Sequence, residues 1–429
     1  MGRRLVPIGM VAAMIAFMVA AIAIGIAPWR LGTWNPSVRL IVAGGILPMI
    51  YSVSFRVMPV FGGRTWRHER LLQIQIGATL VGAWSLFAGG LWRLDRVQTF
   101  GHVLLLAGVL LFLTSIGLMF SQPRQANRPP PPLPYPEHRA IDRIARGFTM
   151  LATIYLLFGV GSGLYAHLWK PHTGRWDLVW AHSLLVGFML SMISGVSYHV
   201  LARWTGARWR FPRLIPLQFL TTVICLPLMI LAFATDRSTL FEFAGPIQAT
   251  ALLLLLVNLV PMARALPQLS RYPIMLAIVA LTIGLYLGAL FAGHPADGAR
   301  YRLVHAELNL FGFTGLLISG MAYYLVPRLF GHPLRLPRLA PIQIGLLTLG
   351  VAANALVSVW RIERGGPAIL QSVTHGVIAL SFGLLGVIIA LTTLAARPGR
   401  TVSTLSLSRS APGRPLTSGR TLVHQTPAD

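Results

Sequence analysis

The chain has 429 residues, of which 55% are hydrophobic and only 11% charged, against roughly 25% charged in soluble domains. Mean hydropathy is +0.68 and the formal net charge is +25. These values exclude an ordinary soluble enzyme and a secreted disulfide scaffold. They also exclude a nucleic-acid-binding domain, because the basic residues sit in short loops between apolar runs rather than on one soluble face.

About 20 apolar residues are needed to cross roughly 30 Å of hydrocarbon. The sequence predicts an all-α, polytopic membrane protein of twelve transmembrane helices, at about 5–28, 38–60, 71–92, 99–121, 144–168, 179–202, 213–235, 242–262, 273–292, 302–326, 339–360 and 369–396. The first run follows Met-Gly-Arg-Arg and is too long for a signal-peptide core, so it is read as a retained span. Residues 122–143, with Pro129 to Pro132 at their centre, read as a proline-rich cytoplasmic linker within a membrane domain covering 1–396. Cys225 is the single cysteine, which excludes an internal disulfide and any multi-cysteine zinc or iron–sulfur site. Residues 397–429, rich in Ser, Thr, Arg and Pro, read as a disordered basic cytoplasmic tail that anionic lipid would attract. With the N-terminus inside, 25 basic residues fall on the cytoplasmic side and 11 outside. The charge bias therefore places both termini in the cytoplasm.

The chain repeats itself. Residues 182–206, HSLLVGFMLSMISGVSYHVLARWTG, match residues 307–331, ELNLFGFTGLLISGMAYYLVPRLFG, at nine of 25 positions. The shared residues include Gly187/Gly312, Ser194/Ser319, Tyr198/Tyr323 and Arg203/Arg328. Residues 39–63 match the 182–206 copy at eight of 25. These are the second, sixth and tenth spans, so the pattern predicts a pseudo-threefold repeat of four-helix units, with Gly and Ser at close helix contacts.

Ionisable groups within a membrane are costly and mark cavities, pathways or cofactors. His102, His182, His305 and His375 enter at one depth, just inside the outer face, while His199 lies near the cytoplasmic end of the sixth span. Neutral imidazole is a ligand for haem iron and for copper. His305 and Glu307 point about 200° apart on a helix, so they cannot serve one site but can face two neighbouring cavities. Glu307 is the one carboxylate placed near the membrane interior.

Twelve spans in three units, with His305-Ala-Glu-Leu-Asn-Leu-Phe-Gly-Phe through Tyr323-Tyr-Leu-Val-Pro-Arg-Leu and Trp180-Ala-His-Ser through Tyr198-His-Val-Leu-Ala-Arg, resemble subunit I of the haem–copper oxidase superfamily. The nearest flavour is the cbb-type and nitric-oxide-reductase-like branch. The resemblance implies that His305 is the axial ligand of a high-spin, b-type haem and that His182 is a copper or haem-pocket ligand. Glu307 stands where the family has a second histidine for a low-spin haem, and Val38–Arg39 stand where that haem's other ligand belongs. The seventh span reads Leu226-Pro-Leu-Met-Ile-Leu-Ala-Phe-Ala-Thr, with no His-His copper pair. What is implied is a ligand-depleted member, without the low-spin haem or a complete copper site. His102, His375, Glu307, His199, Tyr198 and Tyr323 are further candidate site residues.

The resemblance places the protein in a bacterial inner membrane, in contact with the lipid bilayer and with other subunits of a respiratory, electron-transport complex as candidate partners. If active, it would be an oxidoreductase of the haem–copper type. The nitric-oxide-response membrane proteins, which also have twelve spans, are similar too. Two other readings stand beside haem binding. One is a cofactor-free transporter using Glu307, His305 and His182 as a proton relay, although transporter repeats are usually twofold. The other is a non-catalytic assembly partner of a respiratory complex.

Overall fold

The computed structural model describes residues 2–26, 31–125 and 131–395. Twelve helices are long and apolar enough to cross a membrane: α1 (Leu5–Ile26), α2 (Gly32–Gly62), α3 (Glu69–Leu91), α4 (Asp95–Phe120), α5 (Pro136–Trp169), α6 (Trp176–Thr205), α7 (Leu214–Thr235), α8 (Ser238–Arg264), α9 (Gln268–Gly293), α10 (Pro295–Phe330), α11 (Leu339–Arg364) and α12 (Ala368–Leu394). Among the described residues there is no strand. Helices alone satisfy each backbone donor within one segment, as hydrocarbon requires. The basic tail lies outside the described residues, as do residues 126–130 of the linker. After Pro131 the chain makes one 3-10 turn, Pro136–His138, and is α-helical from Arg139. The helix thus starts five residues ahead of the expected span, because Arg139 to Arg143 extend it beyond its apolar part.

The three copies of the repeat lie at the centre. In the apolar stretches of α2, α6 and α10, 72%, 61% and 83% of residues are buried, against at most 56% in any other helix. The outer helices turn large apolar side chains outward, as Leu349 and Leu356 of α11 do, which suits lipid as the surrounding solvent.

The repeat is also written in the backbone. Each copy contains a π-helical stretch, Leu40–Ile46, Ser183–Leu190 and Leu308–Gly315, and the three begin at matched positions, one residue after 39, 182 and 307. Each copy also ends on a left-handed glycine, Gly63 (φ 60°), Gly206 (φ 68°) and Gly331 (φ 65°), a conformation that a side chain would strain.

The bundle closes on itself. Phe17 of α1 stacks on Phe382 of α12 at 4.7 Å between ring centroids. A Cβ on Gly25 of α1 would come within 2.9 Å of His375 Cβ. With twelve spans, both ends of the chain emerge on one face, here the terminal face; the other is the opposite face.

Candidate functional site

The residues that precede the three π stretches are Arg39, His182 and Glu307. A π turn widens the helix and recurs at functional sites. Pseudo-symmetry therefore presents three chemically different groups, a guanidinium, an imidazole and a carboxylate, at one level near the opposite face.

His305 sits two residues before the last of these stretches. Its Nδ1 is 2.9 Å from the Gly284 carbonyl oxygen of α9. A carbonyl only accepts, so Nδ1 carries the hydrogen and Nε2 is left with its lone pair. That second nitrogen has no hydrogen-bond partner among the described residues, and the residue as a whole is half-buried. Gly288 makes room for it: a Cβ there would lie 3.1 Å from His305 Cε1. Phe291 meets the ring edge-on at 5.8 Å.

His182 of α6 is arranged alike. Its Nδ1 is 3.0 Å from the Leu178 carbonyl, one turn back, and its ring packs on Phe233 of α7 at 4.8 Å. His182 and His305 lie within electrostatic reach of each other. The sixth and tenth spans therefore bring their histidines to one region, each with its Nε2 uncommitted.

Glu307 turns the other way, as the helical spacing requires. Its Oε1 is 3.1 Å from His375 Nε2 of α12, and its Oε2 accepts from Asn354 Nδ2 of α11. Asn354 Oδ1 in turn accepts from the Thr374 hydroxyl at 2.8 Å. His375 Nδ1 is 2.8 Å from the Gln371 carbonyl, which fixes hydrogen on that nitrogen. The bond from Nε2 to the carboxylate then requires one proton held between the two groups. His375 is fully buried and Glu307 is 3% exposed. Beyond them, Gln371 donates to Ser358 at 3.2 Å and accepts from Arg361 at 2.6 Å, so polar contacts run from the buried pair to the opposite face. Phe311 lies edge-on against His375 and packs on Phe382. Glu307 is thus committed to α11 and α12, away from His305.

The other candidates divide. His102 of α4 is 1% exposed, faces His167 at 5.2 Å between rings, and leaves Nε2 without a partner. His199 lies at the terminal face, bonded through Nδ1 to Asp142 at 3.0 Å, where Arg203 also clamps the same carboxylate. It lies on the same helix as His182, about 25 Å away in depth. Tyr198 and Tyr323 are structural twins. Tyr198 donates to Gln218 Oε1, whose Nε2 donates to Ser194 at 3.1 Å. Tyr323 donates to Gln343 Oε1 at 2.7 Å, and Gln343 donates to Ser319 and Ser381.

Sequence reasoning missed these glutamines, along with Asn354, Gln371 and Gln248. A signal was present: Gln75, Gln218 and Gln343 are separated by the same 143 and 125 residues that separate the repeat starts. In the first unit Phe55 replaces the tyrosine, and Gln75 Oε1 is left buried and unpartnered.

Among the described residues no three His, Cys, Asp or Glu side chains gather where they could hold a metal ion. The donor set around His182 therefore does not fit a closed copper site. His305 does fit a haem ligand, because ligating histidines characteristically donate the other ring N–H to a carbonyl or carboxylate.

No family model matches the chain, and no curated protein matches it. Solved structures do. One, described as a haem–copper terminal oxidase dimer studied by cryo-electron microscopy for its catalytic mechanism, aligns over 96% of this chain and 86% of its own, with a TM-score of 0.63 and 15% sequence identity. At that identity the likeness is one of fold: this chain has the architecture of a haem–copper oxidase subunit. The finer cbb-type and nitric-oxide-reductase branch is not distinguished by it.

Proposed function

We propose that this membrane protein binds a single b-type haem through Nε2 of His305 and uses it to take up a small gaseous ligand, nitric oxide or oxygen, on the side facing His182. The observation that carries the reading is the Nδ1–Gly284 hydrogen bond, which fixes the tautomer, orients the ring and leaves Nε2 as the donor atom. Bound there, a haem would supply the iron to which a small gaseous ligand binds. The protein's part is to hold the ring through Gly284, to leave space at Gly288, and to line the far side with His182 and Phe233.

The positions that the resemblance gives to a low-spin haem support a single cofactor. Arg39 is bonded to Gln98 and has no lone pair for iron, and Glu307 is held between His375 and Asn354. The reading takes the protein to lie in a bacterial inner membrane, with both termini in the cytoplasm on the strength of the charge bias. It favours ligand binding or sensing over reduction of oxygen to water, for which a second electron-carrying centre would be needed.

The test is purification in detergent, with visible spectra of the oxidised, reduced and carbon monoxide-treated protein and with haem quantified. The expected result is about one haem per chain and a Soret band that shifts with carbon monoxide. His305→Ala should lose at least about 90% of it, while His199→Ala keeps it. Wild-type protein without haem, from haem-replete cells, overturns the reading.

A further inference from the structure

Gln248 of α8 presents both ends of its amide to the interior and bonds to nothing. The residue is 2% exposed, and neither Oε1 nor Nε2 has a partner among the described residues. A buried amide without partners is rare and costly, more so at membrane depth. Elsewhere in this bundle buried side-chain amides are bonded at one end or both, as Gln218, Gln343, Gln371 and Asn354 are.

The direction of Gln248 follows from its neighbours. Seven residues separate it from Phe241, which places the two about 20° apart on the helix. Phe241 packs on Phe233 at 4.8 Å, and Phe233 packs on His182. Gly245, about 40° from Phe241 on the other side, faces α9: a Cβ on it would lie 3.4 Å from Ala292 Cβ. Gln248 therefore projects near the seam between α7 and α9, on the side of α8 that faces the bundle.

Its depth follows from the same contact. α8 and α9 run antiparallel, with Gly245 and Ala292 at one level. Gln248 is three residues further along α8, about 4.5 Å deeper, and Gly288 is four residues back along α9, about 6 Å deeper. Gly288 is the residue against which His305 packs. The unpartnered amide thus lies at the depth of the His305 ring, while Phe241 and its contact with Phe233 lie about 10 Å nearer the opposite face.

We infer that Gln248 is the hydrogen-bonding residue of the gas pocket, its Nε2–H donating to a diatomic ligand such as nitric oxide or oxygen. The assignment rests on haem binding at His305. Beside His182, whose Nε2 carries no hydrogen, it supplies an N–H donor able to favour a ligand that gains electron density when bound. It also separates this amide from Gln218 and Gln343, which are taken up in Tyr–Gln–Ser triads.

The experiment uses full-length, detergent-purified protein with carbon monoxide as the probe, read by infrared spectroscopy and by the rate of carbon monoxide release. Gln248→Leu has nearly the same volume and no donor. It should keep haem content and the Soret band, move the C–O stretch to higher frequency, and speed release by roughly fivefold to tenfold, the worth of one hydrogen bond. If leucine prevents accumulation, Gln248→Asn keeps the amide but withdraws it by one methylene, and it should shift the same band. A haem-loaded variant with an unchanged C–O band and release rate overturns the role of Gln248 and leaves the haem reading standing. A wild-type protein without haem overturns both.

Discussion

At the scale of single residues, what separates the intramembrane imidazoles is whether Nε2 has a partner once Nδ1 has given its hydrogen. His182, His305 and His375 all give it to a backbone carbonyl. The difference lies at Nε2, which is uncommitted in the first two and bonded to Glu307 in the third. Glu307 is accordingly a packing and hydrogen-bonding centre, and its replacements should differ sharply. Glu307→Gln offers an N–H to His375 and a carbonyl to Asn354, so stability should fall by no more than about 1 kcal/mol. Glu307→Leu strands both partners in a buried site and should cost about 3 kcal/mol. Thermal unfolding in detergent would show the order; equal losses would contradict the pairing. The existence of a buried acid at 307 was legible in the sequence, as was its divergence from His305. Its partner was not, because His375 lies 68 residues away on another helix and only packing of α12 against α10 brings the two together.

At the scale of elements, the tenth span is held in place by glycines of the ninth. Gly284 supplies the carbonyl for His305, and Gly288 leaves the gap into which the ring fits. Gly288→Leu should push the ring aside and reduce haem occupancy at least about tenfold. Gly288→Ala, whose Cβ requires the neighbour to yield only a few tenths of an ångström, should reduce it less. Gly161→Leu is the control, since nothing lies within 4 Å of a Cβ there. Haem-to-protein ratios across the three variants check the argument, and equal ratios would count against it. The π stretches belong to this scale too. Side-chain periodicity does not announce them, because an apolar run reads alike in an α or a π helix. Only the recurrence of the run three times hinted that the copies shared more than composition. Their common start, one residue after Arg39, His182 and Glu307, shows that the repeat fixes backbone geometry while the chemistry at each copy has diverged.

At the scale of the whole molecule, the twelve spans and the threefold order were readable because a bilayer limits the solutions, apolar length setting the spans; the arginine imbalance adds an expected direction. The expected orientation predicts that a green fluorescent protein fused at either terminus is fluorescent and that an alkaline phosphatase fused there is inactive. A phosphatase fused after residue 171, in the loop between α5 and α6, should be active. The reverse pattern would invert the topology. What the sequence left illegible were the tertiary meetings of polar side chains, such as Gln343 with Ser381 or Arg361 with Gln371, because short polar residues inside an apolar run carry no mark of the helix they will face.

The closure of α1 against α12 bears on how the protein is made. The first helix leaves the ribosome long before the last, and α10 must wait in the membrane with a carboxylate whose imidazole partner has not yet been synthesised. The ring of helices is complete only when α12 docks by Phe382 onto Phe17 and by His375 onto Glu307. A chain that stalls before its last span therefore carries an unpaired carboxylate at a depth where such a group is costly.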